Sequence, residues 1–376
     1  MIGRSGRRIT LFKAAVATWL LSMGGCEHDF EPASYLDQVQ LIGARLAVKG
    51  DAARATPHPG DRVEAELVVV GGQRDASRVD VSIMSVQCRY PERFTSNPIC
   101  QELLDQAEIA PDRISLAYFA LDTFENPRLV CRPDNTIWIE STDRQTGLPI
   151  DALVGGDYLS ALGVTLRCIY GPPILPINVA QERRTGDALL VRGVVCTEGD
   201  AMFAPDLPLF LGCQNADTSP AMPFHMRVDV TDRDSDNHNP QEDQVAVWLN
   251  GAPWPQGAGD PCAEDGQDGQ PLLDPDEHRI TVGLTGEAFE ETSDGDTEQY
   301  ALELFSDDGL AAAESPVYLR NGANRAGAQA TFQWRGPTDL EDGERRPVRF
   351  WLTLRDGRGG FLLLRRHACL QRPLAD

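Results

Sequence analysis

The chain has 376 residues, which is enough for two or three domains with cores of their own. It carries 57 acidic and 34 basic residues, so its net charge is −23, and such a surface repels nucleic-acid phosphates. Nucleic acid is therefore not an expected partner. Beyond residue 25, no apolar stretch has the length of a membrane-spanning helix.

Residues 1–25 have the pattern of a secretory signal peptide. Basic residues open this leader, an apolar run follows from Leu11, and Gly24 and Gly25 lead directly into Cys26. The end of the leader resembles a bacterial lipoprotein signal, in which the cysteine is acylated and becomes the first residue, although Met23 stands where that pattern prefers leucine or valine. We therefore predict lipidation at Cys26.

The segment 26–37 is predicted to be a polar tether between the lipid and the first domain. Glu27 is not the aspartate that, in some bacteria, retains a lipoprotein in the inner membrane. The sequence therefore favours an outer-membrane lipoprotein of the cell envelope, facing either the periplasm or the surface.

Eight further cysteines form an even set, which favours disulfides in an exported chain. They are Cys88, Cys100, Cys131, Cys168, Cys196, Cys213, Cys262 and Cys369. Proximity in sequence suggests Cys88–Cys100 and Cys196–Cys213, which leaves Cys131–Cys168 and Cys262–Cys369, although eight cysteines allow many other pairings. Because no C-x-x-C spacing occurs, neither a zinc knuckle nor a thioredoxin-type redox pair is expected.

Alternating apolar residues and Pro/Gly/Asp turns predict that residues 38–231 form one β-sandwich with long insertions. In the first strand, Ile42, Ala44, Leu46 and Val48 are expected to share one face. Further strands are predicted at 63–69, 79–88, 114–121, 189–196 and 224–230, and short helices at 101–110 and 151–162. Two small domains divided near residue 125 are the alternative.

An acidic hinge is predicted at 232–243, followed by a second sandwich at 244–372. Its strands are expected at 245–249, 279–284, 300–305, 317–319, 331–334, 346–355 and 361–370. The Gly-rich segment 356–360 is interpreted as a hairpin turn, because a phosphate loop would be followed by a helix and a strand follows here. Trp351 is out of phase with Val348, Phe350 and Leu352, so it is expected to face away from them.

The expected fold class is therefore all-β, with two immunoglobulin-like antiparallel β-sandwiches in tandem that are stapled by disulfides. The order of motifs resembles a family of lipoproteins from myxobacteria and their relatives. The hinge motif at Asp232–Pro240 and the closing hairpin motif at Arg349–Gly360 carry most of this resemblance. The resemblance implies a β-rich outer-membrane lipoprotein, and it implies no activity.

The hinge is the strongest candidate for a metal site, because calcium prefers carboxylate, amide and carbonyl oxygens. The candidate calcium ligands are Asp232, Asp234, Asp236, Asn237 and Asn239. The pattern is not an EF-hand, because the positions for its glycine and glutamate hold Asn237 and Asp243. It is more similar to the calcium-binding linkers of cadherins, and the alternative is a solvated acidic linker.

The sequence shows none of the catalytic motifs considered. It has no H-E-x-x-H and no G-x-S-x-G motif, and nothing singles out a carboxylate pair for glycoside chemistry. The prediction is a non-enzymatic binding or scaffolding protein that contacts the membrane through its lipid and contacts an envelope protein or glycan. The alternatives are a calcium-dependent adhesion protein and an envelope polysaccharide hydrolase, which would need a carboxylate pair with raised pKa in a pocket.

Overall fold

The structure is a computed structural model that describes most of the chain after residue 35. The described residues are 36, 39–71, 81–89, 124–143, 146, 149–153, 165–181, 183–204, 210–214, 221–232, 236–256, 261–262, 271–291, 298–312, 316–320 and 327–373. The predicted leader, Cys26, Cys100, and the predicted elements at 101–110 and 114–121 lie outside these residues. Within the described ranges, no helix is long and apolar enough to cross a membrane.

The described residues form β-strands joined by turns, with two short 3-10 helices at Glu242–Gln244 and Gly286–Ala288. In chain order the strands are β1 Gln40–Val48, β2 Arg62–Val70, β3 Val81–Arg89, β4 Phe124–Cys131, β5 Ile137–Asp143, β6 Pro149–Leu153, β7 Thr165–Gly171, β8 Ile174–Asn178, β9 Ala188–Cys196, β10 Ala201–Ala204, β11 Phe210–Cys213, β12 Met222–Asp229, β13 Val245–Leu249, β14 Ala252–Pro253, β15 Leu272–Leu273, β16 Glu277–Leu284, β17 Gln299–Ser306, β18 Leu310–Ala312, β19 Val317–Arg320, β20 Ala328–Arg335, β21 Arg345–Arg355 and β22 Phe361–Gln371.

These strands assemble into five sheets. The strand orders are β1-β2-β8 in sheet 1, β12-β9-β3-β7 in sheet 2, β11-β10-β4-β5-β6 in sheet 3, β14-β13-β16-β20-β18 in sheet 4 and β15-β22-β21-β17-β19 in sheet 5. The described strand pairs are antiparallel except β15 with β22, which run parallel. The all-β prediction is therefore confirmed.

Sheet 2 has two buried faces and lies between sheets 1 and 3. On one face, Ile83 of β3 packs in the same apolar cluster as Leu67 of sheet 1. On the other face, the next residue, Met84, packs in a cluster with Ile137 of sheet 3. Because successive side chains in a strand point to opposite faces, a continuous apolar run is needed where both faces are covered. Sheets 1–3 are called the first stack below.

Three disulfides are present among the described residues, and they are pairings that the sequence suggested. Cys131–Cys168 and Cys196–Cys213 each join sheet 3 to sheet 2. Cys262–Cys369 joins the segment before β15 to β22. The remaining predicted pair, Cys88–Cys100, involves a residue outside the described part of the chain.

Sheets 4 and 5 face each other across a second core, and they are called the second stack below. Trp334 of β20 is fully buried and meets Phe350 of β21 edge-on, with ring centroids 5.1 Å apart. Trp254 meets the same phenylalanine at 5.0 Å. Alternation in β20 and β21 places Trp334 and Phe350 inside, as the period-2 pattern predicts.

The two stacks contact each other through a separate apolar cluster, called the junction cluster. Its buried members are Leu36, Ile42, Val68, Val70, Phe305, Trp351 and Phe361. Trp351 is 4% exposed and faces away from Val348, Phe350 and Leu352, which lie in the core of the second stack. The phase of Trp351 was thus predicted correctly, and the surface that it covers is the outer face of sheet 1.

The predicted face of the first strand is partly wrong, because β1 contains an irregularity. The register against β2 shifts between Leu41 and Gly43, and this bulge turns Ile42 toward the junction cluster while Leu46 packs between sheets 1 and 2. Gly43 lies against the Phe361 ring, where a Cβ atom would collide. A glycine at the bulge therefore permits the close approach of the two stacks.

The helix predicted at 151–162 is also wrong where it can be compared. Asp151–Leu153 are the last residues of β6, which pairs with β5. Local composition favoured a helix, but pairing with a neighbouring strand decides the conformation here. The residues at 154–162 lie outside the described part of the chain.

Candidate functional site

The middle of the acidic linker between the stacks lies along a loop of the first stack. The Ala55 amide donates to the Asn237 carbonyl at 2.8 Å, and the Asn239 amide donates to the Ala53 carbonyl at 2.7 Å. Arg54 and His238 form the antiparallel bridge between these contacts. The linker that the sequence predicts to be a flexible hinge is therefore paired with the first stack over residues 237–239.

The side chains of two linker asparagines add hydrogen bonds to the first stack and to the closing hairpin of the second stack. Asn239 Nδ2 donates to the Leu46 carbonyl at 2.7 Å, while its Oδ1 accepts from the Phe361 amide at 3.0 Å. Asn237 Nδ2 donates to Asp356 Oδ2 at 2.8 Å. Both asparagines are at most 2% exposed, so the linker is hydrogen-bonded to both stacks out of contact with solvent.

The turn between β21 and β22 is shaped by Asp356. Its Oδ1 accepts from the amides of Arg358 at 2.7 Å and Gly360 at 2.9 Å, which closes the hairpin. Gly357 and Gly359 have φ values of +79° and +107°, a region that favours glycine. A Cβ on Gly360 would collide with the Asp356 carboxylate. The predicted hairpin is confirmed by the continuous β21–β22 register, and the Gly-rich sequence serves this turn.

Arg358, in the turn between β21 and β22, contacts a cluster of carboxylates on the second stack. Its Nε donates to Glu298 Oε1 at 3.0 Å, and its Nη2 lies 3.1 Å from Glu290 Oε2. The Tyr300 hydroxyl donates its hydrogen to the Ala288 carbonyl at 2.7 Å and lies 3.0 Å from Glu298 Oε2. Glu290 Oε1 lies 2.8 Å from His238 Nδ1. These contacts connect the linker, the turn and β17. We call the set the junction network: Asn237, Asn239, Glu290, Glu298, Asp356 and Arg358.

Burial changes the acid–base properties of this network. Burial raises the pKa of the Glu298 carboxyl above its usual value, and the nearby Asp356 carboxylate raises it further. Burial likewise raises the pKa of Asp356, against the lowering effect of its hydrogen bond from Asn237. The pKa of Tyr300 is raised by burial and then by Glu298. The folded environment therefore favours the protonated form of all three groups.

The predicted calcium ligands in the described linker have different partners. Asp236 Oδ1 lies 2.7 Å from His58 Nε2 and 3.8 Å from Arg54 Nη1, on the first stack. Asn237 and Asn239 instead bond to the closing hairpin. Asp232 is exposed, and Asp234 lies outside the described residues. Calcium binding stays a prediction.

Other observations bear on a metal site. Among the residues that the structure describes, no group of three or more His, Cys, Asp or Glu side chains is arranged to hold a metal ion. Asn237 Oδ1 is buried and has no hydrogen-bond partner, whereas the carboxylate oxygens of the junction network accept from the guanidinium and amide groups named above.

A cleft of about 270 Å³ opens beside the junction network. Its walls include His238, Gln241, Glu287, Glu290 and Tyr300. Glu298 and Asp356, whose pKa values are raised, do not line this cleft. The two acids of raised pKa in the junction network are therefore not part of the cleft wall.

Sequence reasoning identified the hinge and the closing hairpin as separate motifs and missed their contact. Asn237 and Asp356 are 119 positions apart, and no local pattern reports such a pairing. The roles of Glu290 and Glu298 were also missed, because they lie among many other acidic residues. One signal was that both motifs combine small polar residues with glycine or proline, unlike the surrounding strands.

Comparisons with known proteins add little to this geometry. No protein-family model matches the chain, and no curated protein matches it. Among solved structures, methylamine-reacted Salmonella alpha-2-macroglobulin aligns over 88% of this chain and 16% of its own, with 10% identity and a TM-score of 0.20. Native E. coli alpha-2-macroglobulin aligns over 88% and 17%, with 11% identity and a TM-score of 0.22. The chain spans about a sixth of the length of these proteins, and the similarity carries no argument about function.

Replacing Asn239 with alanine tests the junction network. The substitution leaves the Leu46 carbonyl and the Phe361 amide buried without this partner. We expect it to lower the free energy of unfolding by about 2–4 kcal/mol, since each unsatisfied buried group costs about 1–3 kcal/mol. Urea unfolding with intact disulfides measures the change.

Asn178→Ala is the matched control, because Asn178 is an exposed asparagine at the end of edge strand β8. Its expected cost is within about 0.5 kcal/mol. Equal costs for the two variants would show that the Asn239 side chain does not fasten the stacks.

Proposed function

We propose that this chain is a lipid-anchored, non-enzymatic binding or scaffolding protein of the bacterial cell envelope, held in the outer membrane through acylated Cys26. Its two stacks are proposed to be immunoglobulin-like sandwiches, the first of which carries sheet 3 as an insertion. The leader pattern supports the anchor. The disulfides Cys131–Cys168, Cys196–Cys213 and Cys262–Cys369 are consistent with export to an oxidising compartment.

The observation that carries the scaffolding role is the double contact between the stacks. Trp351 and Phe361 pack against the outer face of sheet 1, while Asn237 and Asn239 bond the linker to both stacks. The Asn239 side chain uses both its amide nitrogen and its oxygen in these contacts, and such fully satisfied buried polar groups fix orientation as well as stability. A protein that presents partner-binding surfaces at a fixed spacing from a membrane anchor needs a fixed connection between its stacks. Two stacks joined by a free hinge would not hold such a spacing.

The calcium-dependent adhesion alternative is favoured by one observation. Asn237 Oδ1 is a buried oxygen without a hydrogen-bond partner, and its residue belongs to the predicted ligand set. An amide oxygen is a suitable calcium ligand. Asp236, however, contacts His58, whereas Asn237 contacts Asp356, so these two predicted ligands have different partners. This difference supports the scaffold over the calcium-dependent alternative.

The polysaccharide hydrolase alternative requires a carboxylate pair with raised pKa in an accessible pocket. Glu298 and Asp356 have raised pKa values, but Glu298 is bonded to Arg358 and Tyr300 and neither acid lines the cleft. This arrangement supports a structural role for these acids.

Replacing Cys26 with serine tests the anchor. Because acylation of a lipoprotein signal requires the cysteine thiol, we expect Cys26→Ser to abolish incorporation of a labelled fatty acid and to leave an unprocessed or soluble chain. Metabolic labelling followed by immunoprecipitation measures this. The Cys88→Ser/Cys100→Ser double variant is the control, because it makes the same chemical change elsewhere and removes both cysteines of one predicted disulfide. Label retained by the Cys26→Ser chain would refute the anchor.

Affinity capture of the intact lipoprotein from native envelopes, with calcium and with a chelator, tests the binding role. One defined protein or glycan retained at constant stoichiometry under both conditions supports constitutive scaffolding. Retention only with calcium would support the adhesion alternative. Absence of any stoichiometric partner under both conditions would contradict the proposed function.

A further inference from the structure

Glu298 is the most enclosed acid of the junction network. Its side chain is 1% exposed, and both of its carboxyl oxygens are within hydrogen-bond distance of other groups. The turn between β21 and β22 contributes Arg358 and Asp356 to its surroundings. β17 contributes Tyr300, and the segment that follows the 3-10 helix Gly286–Ala288 contributes Glu290.

The charges around Glu298 do not balance. Glu298, Glu290 and Asp356 are three carboxyl groups, and Arg358 is the guanidinium that the structure places among them. His238 reaches the cluster only at its rim, where it contacts Glu290. Like charges that share a buried site disfavour the fully ionised state, because the low local dielectric strengthens their repulsion.

We propose that Glu298 makes the junction network respond to pH, so that the contact between the closing turn and the linker is firmer when this carboxyl is protonated. A proton on Glu298 leaves Arg358 to balance Glu290 and Asp356 and removes one like charge beside Asp356. Because Asp356 holds the turn and bonds to the linker, the change at Glu298 reaches the contact between the stacks.

The direction of the effect follows from the acid–base balance. Burial, followed by Asp356, raises the pKa of Glu298, so the folded protein binds this proton more tightly than the unfolded chain does. The stabilisation is complete below the unfolded pKa of about 4.3 and is lost as the pH rises through the raised pKa of the folded state. Lowering the pH through this window should therefore tighten the junction, and raising the pH through it should loosen the junction.

Native-state hydrogen exchange of the full-length protein tests this proposal, because it reports opening at individual amides. The Phe361 amide, which donates to Asn239, reports the junction, and the amides of β3 report the first-stack core. Exchange is compared at about pH 5 and about pH 8 after correction for intrinsic rates, in the wild type and in Glu298→Gln, which mimics the protonated acid.

We expect wild-type protection of the Phe361 amide to fall between the two pH values by more than that of the β3 amides. Each unit by which the folded pKa exceeds the unfolded one contributes about a tenfold change. In Glu298→Gln the fall should be smaller, and protection at about pH 8 should exceed that of the wild type. Glu277→Gln, a half-exposed acid on β16, should behave as the wild type.

Two results would overturn the proposal. The first is protection of the wild-type Phe361 amide that does not fall as the pH rises. This result would overturn the proposal even if the Glu298→Gln variant did not fold. The other is weaker protection of Glu298→Gln than of the wild type at about pH 8, which would mean that the charged Glu298–Arg358 pair holds the junction together.

Discussion

Replacing Trp351 with alanine is expected to lower the free energy of unfolding by about 3–5 kcal/mol, the range for removing a large aromatic side chain from a packed site. Trp351 is 4% exposed and packs with Val68, Phe305 and Phe361 between the stacks. The Arg349 guanidinium lies 5.6 Å from its ring centroid and adds a cation–π contact. Urea unfolding at fixed pH, with intact disulfides, measures the change.

The loss should also change the shape of the unfolding transition. Because Trp351 joins the stacks rather than filling either core, its removal should separate unfolding of the first stack from that of the second. Tyr318→Ala is the control, since Tyr318 is an aromatic residue of the same sheet that is 61% exposed. A cost for Trp351→Ala as small as that of Tyr318→Ala would contradict the assignment of Trp351 to a buried junction.

Removing the disulfide Cys262–Cys369 by a double serine substitution is expected to cost about 4–5 kcal/mol in the chain-entropy account, because it closes a long loop. The two cysteines are 107 positions apart. The bond holds the segment before β15 against β22, where the Cys369 amide donates to the Pro271 carbonyl at 3.0 Å. Thermal and urea unfolding of the purified double variant measure the loss.

Removal of Cys196–Cys213 provides the matched comparison. These cysteines are 17 positions apart, so the same account predicts a smaller cost of about 3 kcal/mol. The reverse order of the two costs would show that contacts around β15, rather than the constraint on the unfolded chain, determine the contribution of Cys262–Cys369.

The strands could be predicted because their alternation is strong. In β2, Arg62, Glu64 and Glu66 are exposed while Val63 and Ala65 are buried, as a half-buried strand requires. At the end of β2, Val68–Val70, and at Trp351 in β21, a single alternating face fails because the second face is covered by the other stack. The sequence therefore indicates that a second face of these strands is covered, although it does not indicate which residues cover that face.

The remaining errors have physical causes that a local pattern does not report. The bulge between Leu41 and Gly43 changes the face of Ile42 without interrupting the apolar pattern. A solvated acidic linker was the alternative to a calcium site, because the segment is rich in Asp and Asn. Asn237 and Asn239 are nevertheless buried, since their side-chain amide nitrogens or oxygens find partners far away in sequence. Polar composition predicts solvation only where no such partners exist.

The central claim is that the linker and the closing hairpin fasten two β stacks into one unit, and hydrogen exchange at neutral pH tests it most directly. The amides of Ala55, Asn239 and Phe361 each donate across this junction. The account predicts that they open with nearly the same free energy as amides in the core strands β9 and β21. Rapid exchange of these three amides, at the rate of exposed loops, would contradict the account and restore a flexible hinge between the stacks.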